Sequence, residues 1–583
     1  MLQGGPGACP FVRSWTVGLQ AGERLGAGVH HRGRPLAIQA AAAALEEVYP
    51  GSAGPADLHP RDGPGCGFPG SCPGSRRCSS RSAWPARSVR RLRSTCASAG
   101  SGRGCLHGSN YGACSPAART IWPPREAASM TDAYTAYSYL IAGQDFRGFD
   151  LAPEFGRVAP YAAALTAGQE QRARRLLRDS LVISLHDHPV RFPLRMEETP
   201  EYNRTGRQHA AYAGLAASGM TVVFDNMMDG TACVTGNAPW RWDDVITDLG
   251  MRQADLAHQD HVMVVRAVAD IDQAHRSGRV GLVFGLESAT PIENELDRLD
   301  VLYGLGLRQI GIAYSDANTL GAGLAERSDA GLTAFGRRAV TRMNKLGLAI
   351  DLSHAGDRTA LDTCEHSERP VFITHAGART VWATPRMKPD DVLRAVAGTG
   401  GVIGMSAAPH TTLSPAHPRH SIESVMDHFC YCADLVGIDH VAFGPDTLYG
   451  DHVALHRIFA RLLSISAARG PSFDPVAYVD GLENPTENFA NICGWLVQHG
   501  YDDTDIRAVL GGNIYRALQS IWVLTPPRPR AARPAPTRSY GNPRRPAPRQ
   551  PCRARPRTVG GRAASPTPDK NPHVEPPIWR RAW

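Results

Sequence analysis

Two histidines, His186 and His188, follow directly after the apolar run 181–185. Side chains at i and i+2 of an extended segment point to the same side, so both imidazoles can reach one cation. Imidazole suits Zn, Mn, Co or Fe, and the sequence does not choose among these metals. Residue types that bind metals or transfer protons recur behind other β-branched runs, and we therefore predict a hydrolytic metal centre that also includes Glu287, His354, His375 and Asp446.

The segments that must position these side chains alternate between short β-branched runs and longer amphipathic stretches. This alternation predicts a closed parallel (β/α)8 TIM barrel of the metal-dependent hydrolase type, with its chemistry at the C-terminal ends of the strands. An open doubly wound sheet is disfavoured, because no Gly-rich phosphate loop follows the first strand and polar residues recur at many strand ends. The predicted strands are 181–186, 220–225, 280–286, 308–314, 347–353, 370–374, 401–406 and 440–445. The predicted helices are 204–217, 243–275, 292–304, 333–345, 388–397 and 421–436, with further helical segments in 161–179 and 484–520.

Each candidate residue has an expected role in the metal centre. Glu287 stands among four histidines, and no lysine ends a strand, so this carboxylate is expected to bridge two cations. His354 and His375 end neighbouring strands and can reach a second ion. Asp446 can accept a proton from the attacking water or bind a substrate ammonium group. Two ions roughly 3.5–4 Å apart would bind a hydroxide between them, which predicts hydrolysis of an amide, ester or lactone.

Several longer motifs resemble the renal (membrane) dipeptidase family of binuclear zinc peptidases. The likeness spans roughly residues 165–520 and lies in the segments 331–354, 370–376, 437–446, 478–484 and 510–513. The resemblance implies two zinc ions, one on His186 and His188 and the other on His354 and His375, with Glu287 as the bridge. It also implies that Arg386 binds the free carboxylate of a dipeptide, a task that suits the planar guanidinium. Homodimers are a further implication.

Two positions depart from the family pattern. The first motif of the family is usually His-x-Asp, whereas this chain has His188 in the third position, which leaves one more positive charge at the metals. The family commonly has a histidine near the substrate carbonyl where this chain has Tyr314. A phenol can donate one hydrogen bond to a developing oxyanion, but it lacks the charge of an imidazolium. Tyr314 is therefore expected to bind substrate and take part in catalysis.

Composition divides the 583 residues into a central domain and two basic extensions. Residues 1–129 contain 15 Arg against six acidic residues, and residues 525–583 contain 13 Arg and one Lys against two acidic residues. Since the whole chain has a net charge of +8, the central residues 130–524 are strongly acidic. The Gly-, Pro- and Arg-rich extensions are expected to be disordered or absent from the native product, with Met130 as a plausible start. Scattered cysteines and the lack of a long apolar run favour a soluble cytoplasmic protein without a membrane span.

The leading interpretation is a zinc dipeptidase, in which a hydroxide bound between two metal ions attacks the peptide carbonyl. The second is a binuclear amidohydrolase that acts on N-acyl amino acids, lactones or cyclic amides. Loss of activity on dipeptides without a free C-terminal carboxylate would favour the first. Nucleic-acid binding through the Arg-rich extensions is a third interpretation, although no nucleic-acid partner is expected. A metal-free binding protein is a fourth, and the complete set of five candidate ligands argues against it.

Overall fold

The described part of the chain contains the strands of a parallel barrel. The structure is a computed structural model and describes residues 134–161, 163–227, 241–458 and 474–523. Its β-branched and apolar runs form strands because both of their faces are buried, as a barrel of parallel strands requires. The strands are β1 Ile183–Arg191, β2 His209–Ala210, β3 Val222–Met227, β4 Val262–Val264, β5 Val280–Leu286, β6 Leu307–Gly311, β7 Ala349–Asp351, β8 Phe372–Ala376, β9 Val402–Met405, β10 Val441–Phe443 and β11 Leu448–Tyr449.

Eight of these strands follow one another around the barrel in the order β1, β3, β5, β6, β7, β8, β9 and β10, all paired in parallel. The last strand continues into β11, which pairs with β1 through His188 and Leu448. The amide of Asp446 donates to the carbonyl of His186 at 2.9 Å, and the amide of His188 donates to the carbonyl of Thr447 at 2.8 Å. These bonds join the last strand to the first. The prediction of a (β/α)8 barrel is confirmed.

Helices connect the strands and cover the outside of the barrel. Several begin with an N-terminal cap, as the helix Ala334–Leu346 does, where the Thr333 side chain accepts a hydrogen bond from the amide of Gly336. Such caps satisfy amides that lack a partner in the first turn. The helices are α1 Ala167–Asp179, α2 Thr199–Thr205, α3 Tyr212–Ala217, α4 Trp242–Leu256, α5 Val268–Ser277, α6 Asp297–Gly304, α7 Ala334–Leu346, α8 Asp357–His366, α9 Asp390–Gly398, α10 Ile422–Val436, α11 His452–Ile458, α12 Asn488–Gln498, α13 Asp503–Arg507 and α14 Asn513–Ile521.

Two of the predicted helices were wrong in extent. The predicted helix 243–275 is divided into α4 and α5 by β4, because the run Val262–Val264 pairs in parallel with the start of β5. The predicted helix 204–217 is likewise divided by β2, which pairs antiparallel with the end of β1. All eight predicted barrel strands are present, although the last three residues of the predicted strand 308–314 lie beyond the end of β6.

The helix α14 lies at the end of the barrel where the strands begin. The Asn513 side chain donates to the carbonyls of Ile438 and Val441, next to the start of β10. Leu518 and Ile521 pack in one apolar cluster with strand residues such as Phe372. The opposite end, where the strands finish, is therefore free for the polar residues of a site.

The chain ahead of the first barrel strand packs against the barrel from residue 134 onward. The Tyr134 hydroxyl and the Tyr137 amide both donate to Asp255 in α4, at 2.6 and 2.7 Å. The predicted boundaries at residues 129 and 525, and the predicted disorder of the two extensions, lie outside the described residues and stay predictions. Among the described residues, no helix has the length and apolar character needed to cross a bilayer.

Candidate metal centre

Six of the predicted residues meet at the C-terminal end of the barrel. His186 and His188 lie in β1 and His375 lies in β8, while the other three lie within three residues after the end of a strand. Glu287 comes one residue after β5, and His354 and Asp446 each come three residues after a strand. All six are buried. Because the strands are parallel, their C-terminal ends converge and bring residues distant in sequence within contact of one another.

The first group of side chains surrounds the Nε2 atom of His186. The Nε2 atoms of His186 and His188 are 3.4 Å apart. One carboxylate oxygen of Asp446 lies 3.0 Å from His188 Nε2 and 3.4 Å from His186 Nε2. Glu287 Oε1 lies 3.4 Å from His186 Nε2 and 3.7 Å from His188 Nε2. Two imidazoles and two carboxylates therefore present one ligand atom each to a common space.

The second group lies on the other side of Glu287. The Nε2 atoms of His354 and His375 are 2.8 Å apart, and Glu287 Oε2 lies 3.1 Å from His354 Nε2. The two oxygens of Glu287 thus face different pairs of histidines, which is the arrangement that a bridging carboxylate needs. Asp446 Oδ2 is 3.9 Å from His375 Nε2, so this aspartate also extends between the two groups.

Gly444 permits this close approach of the last strand. A Cβ atom at this position would lie 2.1 Å from the carbonyl oxygen of Thr374 and 3.0 Å from the amide nitrogen of His186. Asp446, two residues later, has a φ of 61°, in the left-handed region. Non-glycine residues rarely adopt this conformation, and where they do it is often at functional sites. The backbone bend directs the Asp446 carboxylate toward the histidines.

Hydrogen-bond partners at Nδ1 orient the imidazoles of His186 and His375. Asn226, at the end of β3, lies 2.8 Å from Nδ1 of His186, and the Thr374 hydroxyl lies 2.8 Å from Nδ1 of His375. Thr374 also donates to Asp351 at 2.8 Å. Partners of this kind orient metal-binding histidines and set which nitrogen is free for the metal. The sequence interpretation missed them, although Asn226 also stands at a strand end.

The residue between the first two histidines takes no part in either group. Asp187 accepts hydrogen bonds from the amide and hydroxyl of Thr447, at 2.8 and 2.7 Å, and from the Ser184 hydroxyl. Burial raises its pKa to about 6, and these hydrogen bonds oppose the rise. Since Thr447 follows Asp446 directly, Asp187 joins the first strand to the segment that carries the second carboxylate.

The charge distribution of the site favours a cation at His186 and neutral imidazoles at His354 and His375. Burial and the Arg386 guanidinium lower the pKa of His354 to about 4, and burial together with His186 lowers that of His375 well below its usual value. Burial opposes protonation of His186 as well, but the carboxylates of Asp446 and Glu287 outweigh it and raise this pKa to about 10. A metal ion can replace that proton, since metal binding displaces protons from its ligands.

The two remaining predicted residues lie beside the second group. The Tyr314 ring stacks on His354, with centroids 4.1 Å apart and planes 19° apart. Arg386 is fully buried, and its guanidinium donates to the carbonyl of His375 at 2.9 Å. Among the described residues, no carboxylate lies within ion-pair distance of this guanidinium. A buried cation is costly without a counter-ion, so the site is suited to an anionic group.

The donor set fits two divalent metal ions. Four imidazoles and two carboxylates are the ligands that zinc and its first-row neighbours prefer. If two ions were bound, Glu287 could contact both of them, His186 and His188 could contact one, and His354 and His375 could contact the other. The structure brings all eight predicted site residues to one end of the barrel.

Comparisons with known proteins agree with this geometry. Residues 170–456 match the family model described as membrane dipeptidase, peptidase family M19. The dipeptidase verJ of Clonostachys rogersoniana is 28% identical over 282 residues, which cover 46% of this chain and 64% of that relative. The dipeptidase tcpJ of Claviceps purpurea is 24% identical over 277 residues, 47% of this chain and 58% of that relative. The chain thus spans about three fifths of the length of these relatives.

A solved structure supports the fold. An amidohydrolase from Pseudomonas aeruginosa superposes with a TM-score of 0.50 at 23% identity, covering 60% of this chain and 99% of that one. At 23% identity, this similarity shows the fold alone and does not identify the reaction.

Proposed function

The barrel of this chain belongs to the membrane dipeptidase family, and from this premise we propose that the protein is a metallodipeptidase with two zinc ions. Its substrates would be dipeptides with a free C-terminal carboxylate. The observation that carries the proposal is the convergence of four histidines, two carboxylates and a buried arginine at one barrel end. Two divalent ions bound there would lower the pKa of a water to about 7 and polarise the scissile carbonyl.

The chain's own residues account for the remaining requirements of dipeptide hydrolysis. Arg386 has no carboxylate partner among the described residues, so its guanidinium can pair with the C-terminal carboxylate of a dipeptide. Tyr314 lies on the face of His354 and can donate its phenolic hydrogen to the carbonyl oxygen as charge develops there. Asp446 Oδ2 faces the second group of ligands, where it can accept a proton from water and return it to the leaving amine.

A substrate panel with the full chain tests the proposal. Purified protein would be analysed for metal and assayed on dipeptides, on the same dipeptides amidated at the C-terminus, and on N-acyl amino acids. We expect about two zinc equivalents, hydrolysis of the free dipeptides, and a loss of activity on the amides. A protein that hydrolyses amidated and free dipeptides equally well would contradict the role of Arg386.

The Arg386→Lys variant provides the matched comparison. It keeps the positive charge but loses the planar guanidinium, which can pair with a carboxylate through two hydrogen bonds. We expect its KM for free dipeptides to rise at least tenfold, while the low residual rate on amidated dipeptides stays unchanged. If the variant is equally impaired on both substrates, the residue supports the structure of the site instead of binding the carboxylate.

The binuclear amidohydrolase remains a second candidate because of His188. The His-x-His motif of β1 departs from the His-x-Asp motif of the family and resembles the wider amidohydrolase pattern. Hydrolysis of N-acyl amino acids, lactones or cyclic amides in the same panel, without hydrolysis of dipeptides, would favour this candidate.

A further inference from the structure

A fully buried lysine lies in the same loop as the arginine assigned to the substrate carboxylate. Lys388 and Arg386 both stand between β8 and α9, and both side chains are buried. The Lys388 ammonium donates to the carbonyl of Ala355 at 2.6 Å. Among the described residues, no carboxylate lies within ion-pair distance of this lysine. Burying an ammonium group without a counter-ion is costly, so a position that only filled space would be better occupied by an apolar side chain.

Two side chains of this loop contact the segment around His354 on both sides of the histidine. The Arg386 guanidinium donates to the carbonyl of Ser353 at 3.5 Å, one residue before His354. Lys388 donates to the carbonyl of Ala355, one residue after it. The loop that would bind the substrate carboxylate is therefore joined directly to the second group of ligands.

The backbone of the loop is closed at Lys388. The Lys388 amide donates to the carbonyl of Gly377 at 3.0 Å, and the Lys388 carbonyl accepts from the amide of Arg379 at 2.9 Å. The Arg379 guanidinium donates to the carbonyls of Thr384 and Met387, at 3.1 and 2.9 Å. Because residues 377–388 are bonded to one another in this way, the loop is one unit, and the Lys388 side chain joins that unit to the segment after β7.

We propose that Lys388 is a positioning residue, which fixes the distance between the Arg386 guanidinium and the second group of ligands. The inference deepens the proposed function and rests on it. In a dipeptide, one Cα atom separates the scissile carbonyl from the free carboxylate. A fixed distance therefore selects substrates with a single α-amino acid after the scissile bond. A misplacement of about 1 Å can lower a rate about a hundredfold, so a small shift of this loop is measurable.

A second contact joins the same loop to the same side of the barrel. The Arg379 guanidinium pairs with the carboxylate of Asp357 at 2.5 and 2.9 Å, and both side chains are partly exposed. Exposed ion pairs contribute little, whereas a buried carbonyl that loses its donor stays unsatisfied. We therefore expect Lys388, and not this ion pair, to determine where Arg386 lies.

Kinetics of the full chain test the inference. Native protein, Lys388→Met and Lys345→Met, each loaded with zinc, would be assayed on alanylglycine, on its C-terminal amide and on alanyl-β-alanine. The carboxylate of alanyl-β-alanine lies one methylene further from the scissile carbonyl. Lys345→Met is the matched control, because it removes an exposed lysine.

We expect the native protein and Lys345→Met to prefer alanylglycine over alanyl-β-alanine by about a hundredfold in kcat/KM. In Lys388→Met this preference should fall about tenfold, because kcat/KM for alanylglycine falls while the low rate on the amide stays unchanged. Bound zinc should equal that of the native protein. Equal losses on all three substrates, or a loss of zinc, would show that Lys388 supports the barrel or the metal centre and would overturn the inference.

Hydrogen exchange of the apoproteins gives a measurement that does not depend on hydrolysis. The amides of Arg379, Met387 and Lys388 donate within the loop, so they should exchange at least about tenfold faster in Lys388→Met, while amides of β3 and β5 are unchanged. Unchanged exchange of the loop would overturn the inference even if dipeptides are hydrolysed. If the native chain hydrolyses no dipeptide but the loop exchanges faster in the variant, the dipeptidase proposal fails and Lys388 still positions Arg386.

Discussion

Lys388 is a fully buried lysine two residues beyond Arg386, and its replacement should change how stability depends on pH. Its ammonium group donates to the carbonyl of Ala355 at 2.6 Å, beside the metal-site residue His354. Burial lowers its pKa from 10.5 to about 7, and the nearby guanidinium groups of Arg386 and Arg379 add to the effect of burial, whereas Asp357 opposes it. Lys388→Met removes the charge while retaining an unbranched apolar chain of similar length.

The magnitude follows from the difference in proton binding between the folded and unfolded chains. Between pH 7 and pH 10.5 the unfolded chain carries a proton on Lys388 that the folded protein has released. The free energy of unfolding of the native protein should therefore rise with pH in this window, by about 1.4 kcal/mol per pH unit. Below pH 7 both states are protonated, and this contribution becomes constant. Because Lys388 is already half deprotonated in the folded protein at pH 7, the native protein should gain about 2 kcal/mol relative to Lys388→Met between pH 7 and pH 9.

Urea unfolding of both proteins at a series of pH values from 6 to 9 measures this difference directly. Other titrating groups cancel when the two curves are subtracted. Lys345→Met is the matched control, because Lys345 is exposed at the end of α7 and the substitution removes the same charge from the surface instead of the interior. If the difference between the native protein and Lys388→Met is independent of pH, the buried amine does not titrate near neutrality and the reasoning is refuted.

Three further substitutions address the site and its support. Asn226→Leu removes the contact with Nδ1 of His186 and should lower metal affinity about 10–100-fold, as measured by competition with a chelator. His375→Ala should remove one metal equivalent and lower the rate on the order of a thousandfold without unfolding the barrel, as judged by metal analysis, kinetics and circular dichroism. Arg252→Met leaves Asp225 buried without its ion-pair partner, and urea unfolding should show a loss of about 3–5 kcal/mol. Two bound ions and full turnover in His375→Ala, or native stability in Arg252→Met, would contradict these expectations.

The positions of the ligands could be predicted because a simple rule of parallel barrels determines them. Each candidate stood at or just beyond the end of a β-branched run, and such ends converge in a closed barrel. His186 and His188 could even be assigned to one ion, since their spacing in an extended strand places both rings on one side. The grouping of residues from different strands into two sites was harder to predict.

The missing details depend on distances that sequence patterns do not encode. The residues of β4 were predicted to belong to a helix, because three apolar residues also fit a helical period. Only their pairing with β5 shows that they form a strand. The contacts of Asn226 with His186 and of Thr374 with His375 depend on how neighbouring strands align. Asp446 could be predicted to lie near the histidines, but its distances of 3.4 Å from His186 Nε2 and 3.0 Å from His188 Nε2 could only be measured in three dimensions.

The charges at the barrel end explain why an anionic substrate suits this site. Glu287 and Asp446 are the two carboxylates among the four histidines, and they would compensate half of the charge of two divalent ions. The guanidinium of Arg386 adds a further buried positive charge that donates to the carbonyl of His375. A hydroxide and the carboxylate of a dipeptide each bring one negative charge to this environment, where low dielectric strengthens their attraction. If two ions are bound as proposed, the same excess of positive charge would disfavour amidated or cationic substrates, which bring no negative charge to offset it.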